Sequence, residues 1–356
     1  MRQYLEKSFD DSRAARELSG MESAYKVLGL LPDTLNLRKL MIDLLTEQIV
    51  GYYDPKTKVL YVVSDAPEEY LGVTITHELV HALQDQYINL DSIQSAPVDN
   101  DRTSAAQAVI EGEAVFEQIA IMQGNNLAAG MPGGWEKIRD LIREQSGSMP
   151  KFATAPLVVQ EEVIFPYLAG ADYVRAAKAA RPKQAPILDL PVSTEQILHP
   201  EKKLQAPPDL PTSITLPAPR NASLVYENTL GEFETKLFLY RHLQDDATAA
   251  RGASGWDGDR YQVLSTGGGK GIAWVTVWDD ATNAGEFYDL MDRVIQRRYN
   301  SKEFTRLADG KRYDDMGRSI ALRTSTVQGR PAVIYIDVPK DASVDVVDLS
   351  KVTLRQ

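Results

Sequence analysis

The sequence predicts an α+β protein, with a largely helical region to about residue 250 and a smaller β-β-α-β-β module over residues 251–356. Three observations carry this prediction. Long stretches with helical apolar spacing dominate the first 180 residues. A Pro-rich crossing, Pro200 to Pro219 with six prolines, interrupts them. After Gly255 the texture changes to β-branched and aromatic runs around glycine turns. At 356 residues the chain exceeds one simple core, so packed substructures are expected.

Taken in order, a helix fits Ser12 to Leu30, and Leu31-Pro32-Asp33 ends it. A second fits Leu35 to Gln48. Ile49 to Tyr53 and Val59 to Val63 flank an Asp54-Pro55 turn and read as a hairpin. Asp65-Ala66-Pro67-Glu68 has the form of a helix start, and Leu71 to Tyr87 is the helix that follows. Another runs from Thr103 to Gln123, then a Gly-rich connection over Gly124 to Gly134. Trp135 to Gln145 and Pro166 to Ala180 are further helices. Ser193-Thr194-Glu195-Gln196 is a capping box opening a short helix that reaches His199. Asn228 to Leu243 reads as helix.

In the module, Arg260 to Ser265 and Ile272 to Trp278 are strands, Ala281 to Arg298 a helix, and Ser319 to Arg323 and Ala332 to Val338 strands. Gly267-Gly268-Gly269-Lys270 lacks the spacing of a phosphate loop and reads as a hairpin turn. Trp256, Trp274 and Trp278 read as core.

Composition excludes several classes. The net charge of -11 removes the basic footprint a nucleic-acid binder needs. With no cysteine there are no disulfides, thiolate metal sites or cysteine nucleophiles. No apolar run approaches the ~20 residues of a membrane span. Met1 to Asp10 is charged and lacks the apolar core of a signal peptide. Asn221-Ala222-Ser223 is a glycosylation pattern that has meaning only in a secretory eukaryotic context.

The chemistry starts at His77-Glu78-Leu79-Val80-His81. Residues four apart share a helix face, so two imidazoles can grip one zinc ion. The glutamate one step on lies beside the metal and can take a proton from a water. On a wheel, Thr74, His77, Glu78, His81 and Asp85 fall within an arc of about 100°. Val73, Ile75, Leu79, Val80, Ala82, Leu83 and Tyr87 fill most of the rest. The expectation is a buried helix with one narrow polar stripe that needs partners.

Catalytic zinc takes three protein ligands and leaves a position for water. Only four histidines are present and no cysteine, so the third ligand is expected to be a carboxylate. The next helix offers Glu111 and Glu113, which point about 160° apart. Both faces are largely apolar, so periodicity leaves the choice open.

HExxH followed some tens of residues later by a glutamate on a second helix resembles the gluzincins, the thermolysin-type clan of zinc metallopeptidases with a zincin-like fold. Glu111-Gly112-Glu113-Ala114 is similar to the Glu-Gly-x-Ala or Glu-Gly-x-Thr stretch of aminopeptidase-N-like and glycyl-aminopeptidase-like members, which implies Glu111 as ligand. Glu113 departs from that pattern, where an aromatic or apolar residue is usual. A neprilysin-like match would select Glu113 with Glu117 behind it. More widely, Gly51-Tyr52-Tyr53-Asp54-Pro55, His77 to Gln86, Ser193 to Lys202 and Gly255 to Tyr261 resemble a group of uncharacterised bacterial metallopeptidases. Members of that group often carry more sequence upstream, sometimes with a secretion or lipid-anchor signal. The compartment stays open, with export or envelope association implied if such a leader precedes this chain.

The resemblance implies peptide-bond hydrolysis of a peptide or protein substrate, with zinc on His77, His81 and Glu111 and Glu78 as general base. For the oxyanion donor it offers a histidine or a tyrosine. His199 is the expected donor, with Tyr167 and Tyr173 as competitors. Asp85, one turn beyond His81, is expected to orient a ligand imidazole. His242 reads as solvated. The hairpin before the motif could lend an edge strand to substrate. Two alternatives stand beside this reading: a non-catalytic peptide-binding protein on a degenerate peptidase fold, and a zinc hydrolase of a non-peptide amide or ester. The intact Glu78 argues against the first.

Overall fold

The computed structural model describes residues 2–64, 68–95, 99–122 and 134–356. The helix start expected at 65–67 and the connection at 124–133 lie outside the described residues. The protein is α+β and forms two compact units, Met1–Asp11 with Arg38–Asp209, and Ser12–Leu37 with Leu210–Gln356. The division therefore falls at 209/210 and not near 250. The reason is that Ser223–Asn228, whose last residue is expected to open a helix, is a strand paired with Trp256–Thr266. It carries the following helix, Gly231–Leu243, into the second unit.

Among the described residues, the first unit is helical apart from one hairpin. Gly51–Asp54 pairs antiparallel with Val59–Val62, with Tyr53 opposite Leu60. The motif helix is Glu68–Tyr87, the partner helix Asn100–Met122, and a third helix spans Leu157–Ala180. That third helix begins nine residues before the expected Pro166. A proline inside a helix costs about 3 kcal/mol. Val158, Val159, Ile164 and Phe165 are all buried ahead of it, and each such burial contributes about 1.5–3 kcal/mol. Burial outweighs the lost backbone bond.

Two glycines let the partner and third helices touch backbone to backbone. A Cβ added at Gly112 would stand 2.1 Å from the Gly170 carbonyl carbon, and one at Gly170 would stand 1.9 Å from the Ala108 oxygen. Only glycine permits this approach.

The motif helix turns the opposite way from the usual amphipathic helix. Leu79 and Leu83 are 57% and 51% exposed, and Ile75 and Tyr87 are exposed too. Val80, His81 and Gln84 are buried, so the polar stripe faces inward. The expected all-round burial is thus corrected. The partner helix and the hairpin supply polar partners to the stripe and leave the Leu79 face uncovered among the described residues.

The second unit is built on a seven-stranded antiparallel sheet. Its spatial order is Ser223–Asn228, Trp256–Thr266, Gly269–Trp278, Arg330–Pro339, Arg318–Val327, Gly310–Asp315 and Thr305–Arg306. Two meanders thus meet along Gly269–Trp278 and Arg330–Pro339, joined by the helix Ala281–Arg298. Strand alternation sorts the residues. Ala273, Val275 and Val277 face a core with Ile214, Leu216, Ile334 and Ile336. Trp274 and Trp278 pack on Phe287, at ring separations of 5.6 and 4.6 Å. All three tryptophans in this region are core. The glycine run Gly267-Gly268 is a hairpin turn, with Thr266 opposite Gly269. His242 is not solvated: its Nε2–H donates to the Leu28 carbonyl at 2.9 Å.

Candidate metal centre

The four-residue spacing on the motif helix brings His77 and His81 side by side, ring centroids 4.8 Å apart and edge to face. The partner helix sets Glu111 between them. Its Oε2 lies 3.1 Å from His77 Nε2 and 3.4 Å from His81 Nε2. The three ligand atoms all lie within 4.8 Å of one another. Each side chain keeps only a small solvent-facing area.

The geometry chooses between the two glutamates. Glu113 turns away and accepts from Gln84 Nε2 at 3.1 Å. Glu117 accepts from Lys178 at 2.5 Å. Neither joins the histidines. A tetrahedral zinc site with bonds of ~2.0–2.1 Å has donor atoms ~3.3 Å apart. The Glu111 distances to both imidazoles match that edge, and two imidazoles with one carboxylate are a known catalytic zinc donor set.

The electrostatics favour positive charge at this point. Burial alone would lower the His81 pKa, but the Glu111 carboxylate outweighs it and holds His81 at about 9. Burial alone would raise Glu111. The charge on His81, with hydrogen bonds from both imidazoles, keeps it well below the ordinary carboxylate range.

Glu78 lies beside this cluster. Its Oε2 accepts the backbone N–H of Tyr53 at 2.7 Å, so the hairpin holds it. Burial raises the Glu78 pKa, opposed by the two histidines and the Tyr53 amide. Tyr53 is tied down a second time, because its hydroxyl donates to Asp85 at 2.8 Å. Lys58 meets the same carboxylate at 2.5 Å. Asp85 therefore anchors the hairpin and the Leu90 amide, and no ligand imidazole. Two glutamines meet the imidazoles where Asp85 does not. His77 Nδ1 meets Gln118 Oε1 at 3.0 Å, and His81 Nδ1 meets Gln84 Oε1 at 2.9 Å. A signal existed: Gln118 lies seven residues after Glu111 and Gln84 three after His81, both on the ligand faces.

His199 is placed elsewhere. It ends the helix Thr194–Leu198 and starts Pro200–Leu204. Its side chain is 34% exposed, and Glu201 lies 3.9 Å from its Nδ1. Thr194 is pinned to Asp101, ten residues before Glu111, which is roughly 15 Å along the partner helix. Of the competing tyrosines, Tyr167 from the third helix is the one brought to the cluster. Its ring centroid is 6.1 Å from that of His77, and Glu111 is close enough to act on its charge. The Glu111 charge, burial and Glu78 all raise its pKa well above the ordinary value, so it stays a phenol donor. Tyr173 is buried, which together with Asp189 pushes it up to about 12.

A family model described as a domain of unknown function (DUF8575) matches residues 222–347. That span lies within the second unit and contains none of the cluster residues. No curated protein and no solved structure matches the chain. No described helix is long and apolar enough to cross a membrane.

Proposed function

We propose that this protein is a zinc-dependent metallopeptidase of the gluzincin type, with a zincin-like first unit. The observation that carries the reading is the convergence of His77, His81 and Glu111 at zinc-ligand spacing, with Glu78 held beside them. His77, His81 and Glu111 would hold the ion. Zinc bound there supplies a Lewis acid that acidifies water and polarises a carbonyl.

The remaining work falls to the chain's own groups. Glu78 takes the proton of the attacking water and returns it to the leaving amine. Its raised pKa suits both steps, since a carboxyl group poised nearer neutrality gives the proton back more readily. The Tyr53 amide keeps one Glu78 oxygen occupied and leaves the other for the proton. Tyr167 replaces His199 as the oxyanion donor: a phenol that remains protonated can donate where negative charge develops. The choice of a peptide substrate over another amide or ester follows the resemblance of the motif region to peptidases.

The test combines metal analysis with one substitution. Wild type is expected to bind one zinc per chain, and His77→Ala to lose it. Glu78→Gln should keep zinc and lose peptide hydrolysis by ~10²–10⁴-fold. Purified protein that takes up no stoichiometric zinc would overturn the proposal. Zinc binding with no Glu78-dependent cleavage of a peptide library would move the function to the non-peptide or binding alternatives.

A further inference from the structure

We infer that Gln84 is a positioning residue that selects the histidine tautomer of the metal site and couples two ligands. The inference rests on the metal reading above. Gln84 is buried, and all of its hydrogen-bonding groups near the cluster have partners. Its Nε2 donates to the Ile110 carbonyl and to Glu113 Oε2, both at 3.1 Å. A backbone carbonyl can only accept, so that end of the amide must be the NH₂. The oxygen end is then forced toward His81 Nδ1, 2.9 Å away. An amide oxygen only accepts, so His81 Nδ1 must carry a proton. With Nδ1 engaged by Gln84, Nε2 is the nitrogen that faces Glu111 Oε2 at 3.4 Å and the one left to give up its proton to an ion. The fold therefore specifies which ring nitrogen meets the ion.

The same side chain links two elements. Gln84 sits one turn after His81 on the motif helix. Its Ile110 partner immediately precedes Glu111 on the partner helix. One buried amide thus fixes the ring of one ligand and the backbone beside another. A carboxylate in its place could accept from His81 but could not donate to Ile110, and it would oppose Glu113. An amide fits the position where the commoner carboxylate partner of a zinc-bound histidine would not.

The test is zinc affinity measured by competition with a chromophoric chelator, which needs no substrate. The proteins are wild type, Gln84→Met and Gln86→Met. Methionine keeps the length and apolar volume of glutamine and removes every hydrogen bond. Gln86 is exposed on the same helix and donates to the Ala82 carbonyl within it, so it is the control. Gln84→Met is expected to weaken zinc binding by ~10–100-fold with Gln86→Met unchanged. A second measurement on wild type, ring ¹⁵N NMR of the zinc-loaded protein, removes any dependence on the variant folding. It should show His81 ligated through Nε2 with Nδ1 protonated. Nδ1 ligation, or a folded Gln84→Met variant with wild-type zinc affinity, overturns the role of Gln84 and leaves the metal site standing. Failure of wild type to bind zinc instead removes the metal reading itself.

Discussion

Replacing Gly170 by alanine tests the contact that brings two site elements together. The new Cβ would stand 1.9 Å from the Ala108 oxygen and 2.7 Å from its carbonyl carbon. Ordinary contact begins near 3.4 Å, so the helices must separate by roughly 1.5 Å in a close-packed interior. Helix propensity works the other way and favours alanine by about 1 kcal/mol. Overpacking costs about 1–3 kcal/mol, and the upper end applies because the obstructing atoms are backbone and not a flexible side-chain tip. The net loss is then about 2 kcal/mol, or a melting temperature roughly 4–8 °C lower for a unit of this size. Tyr167 lies one turn before Gly170, and Glu111 lies next to Gly112 on the facing helix. The same displacement moves the Tyr167 ring away from His77 and Glu111. Scanning calorimetry of wild type, Gly170→Ala and Gly72→Ala gives the readout. A Cβ at Gly72 meets nothing within 4 Å, so that variant should gain about 0.5–1 kcal/mol from propensity alone. A Gly170→Ala melting temperature equal to or above wild type would falsify the packing argument.

Two further outcomes follow from the site and from the second unit. Tyr167→Phe should keep zinc stoichiometry and lower kcat by ~10²–10³-fold, as expected for removal of an oxyanion donor, whereas His199→Ala should leave kcat within about twofold. Equal losses in both variants, with zinc retained, would count against the assignment of Tyr167. In the second unit, burial, with Arg298 and Arg241 adding to it, pushes His242 down to about 3. Below pH ~6.5 the unfolded chain takes up a proton that the folded chain refuses, so this stability is complete above that pH and is lost on acidification. Burial raises Asp259 to about 6, which acts in the opposite direction, so wild type is compared with His242→Gln at each pH. Glutamine can still donate to the Leu28 carbonyl. Urea midpoints at pH 7.5 and 4.5 should show the wild-type advantage shrinking at the lower pH, and a constant difference would refute the assignment.

The sequence by itself determined what depends on near neighbours. The four-residue spacing of His77 and His81 puts both rings on one face because a helix turns every 3.6 residues, whatever surrounds it. The helix Ala281–Arg298 was legible because Asp280 caps it and its apolar spacing is regular. Scarcity of histidine and absence of cysteine pointed to a carboxylate as third ligand. Four things waited for the tertiary structure. Glu111 and Glu113 sit on equally apolar faces, and only the placement of the third helix and Gln84 decides which one meets the histidines. That Tyr167 and not His199 comes near His77 depends on a glycine contact between helices tens of residues apart. Burial of the polar stripe, with Leu79 and Leu83 left outside, reverses what a wheel implies, because hydrogen-bonding partners on other elements outweigh apolar preference. The unit boundary at 209/210 is set by a strand pairing that no local pattern announces, since the partner of Ser223–Asn228 begins nearly thirty residues later.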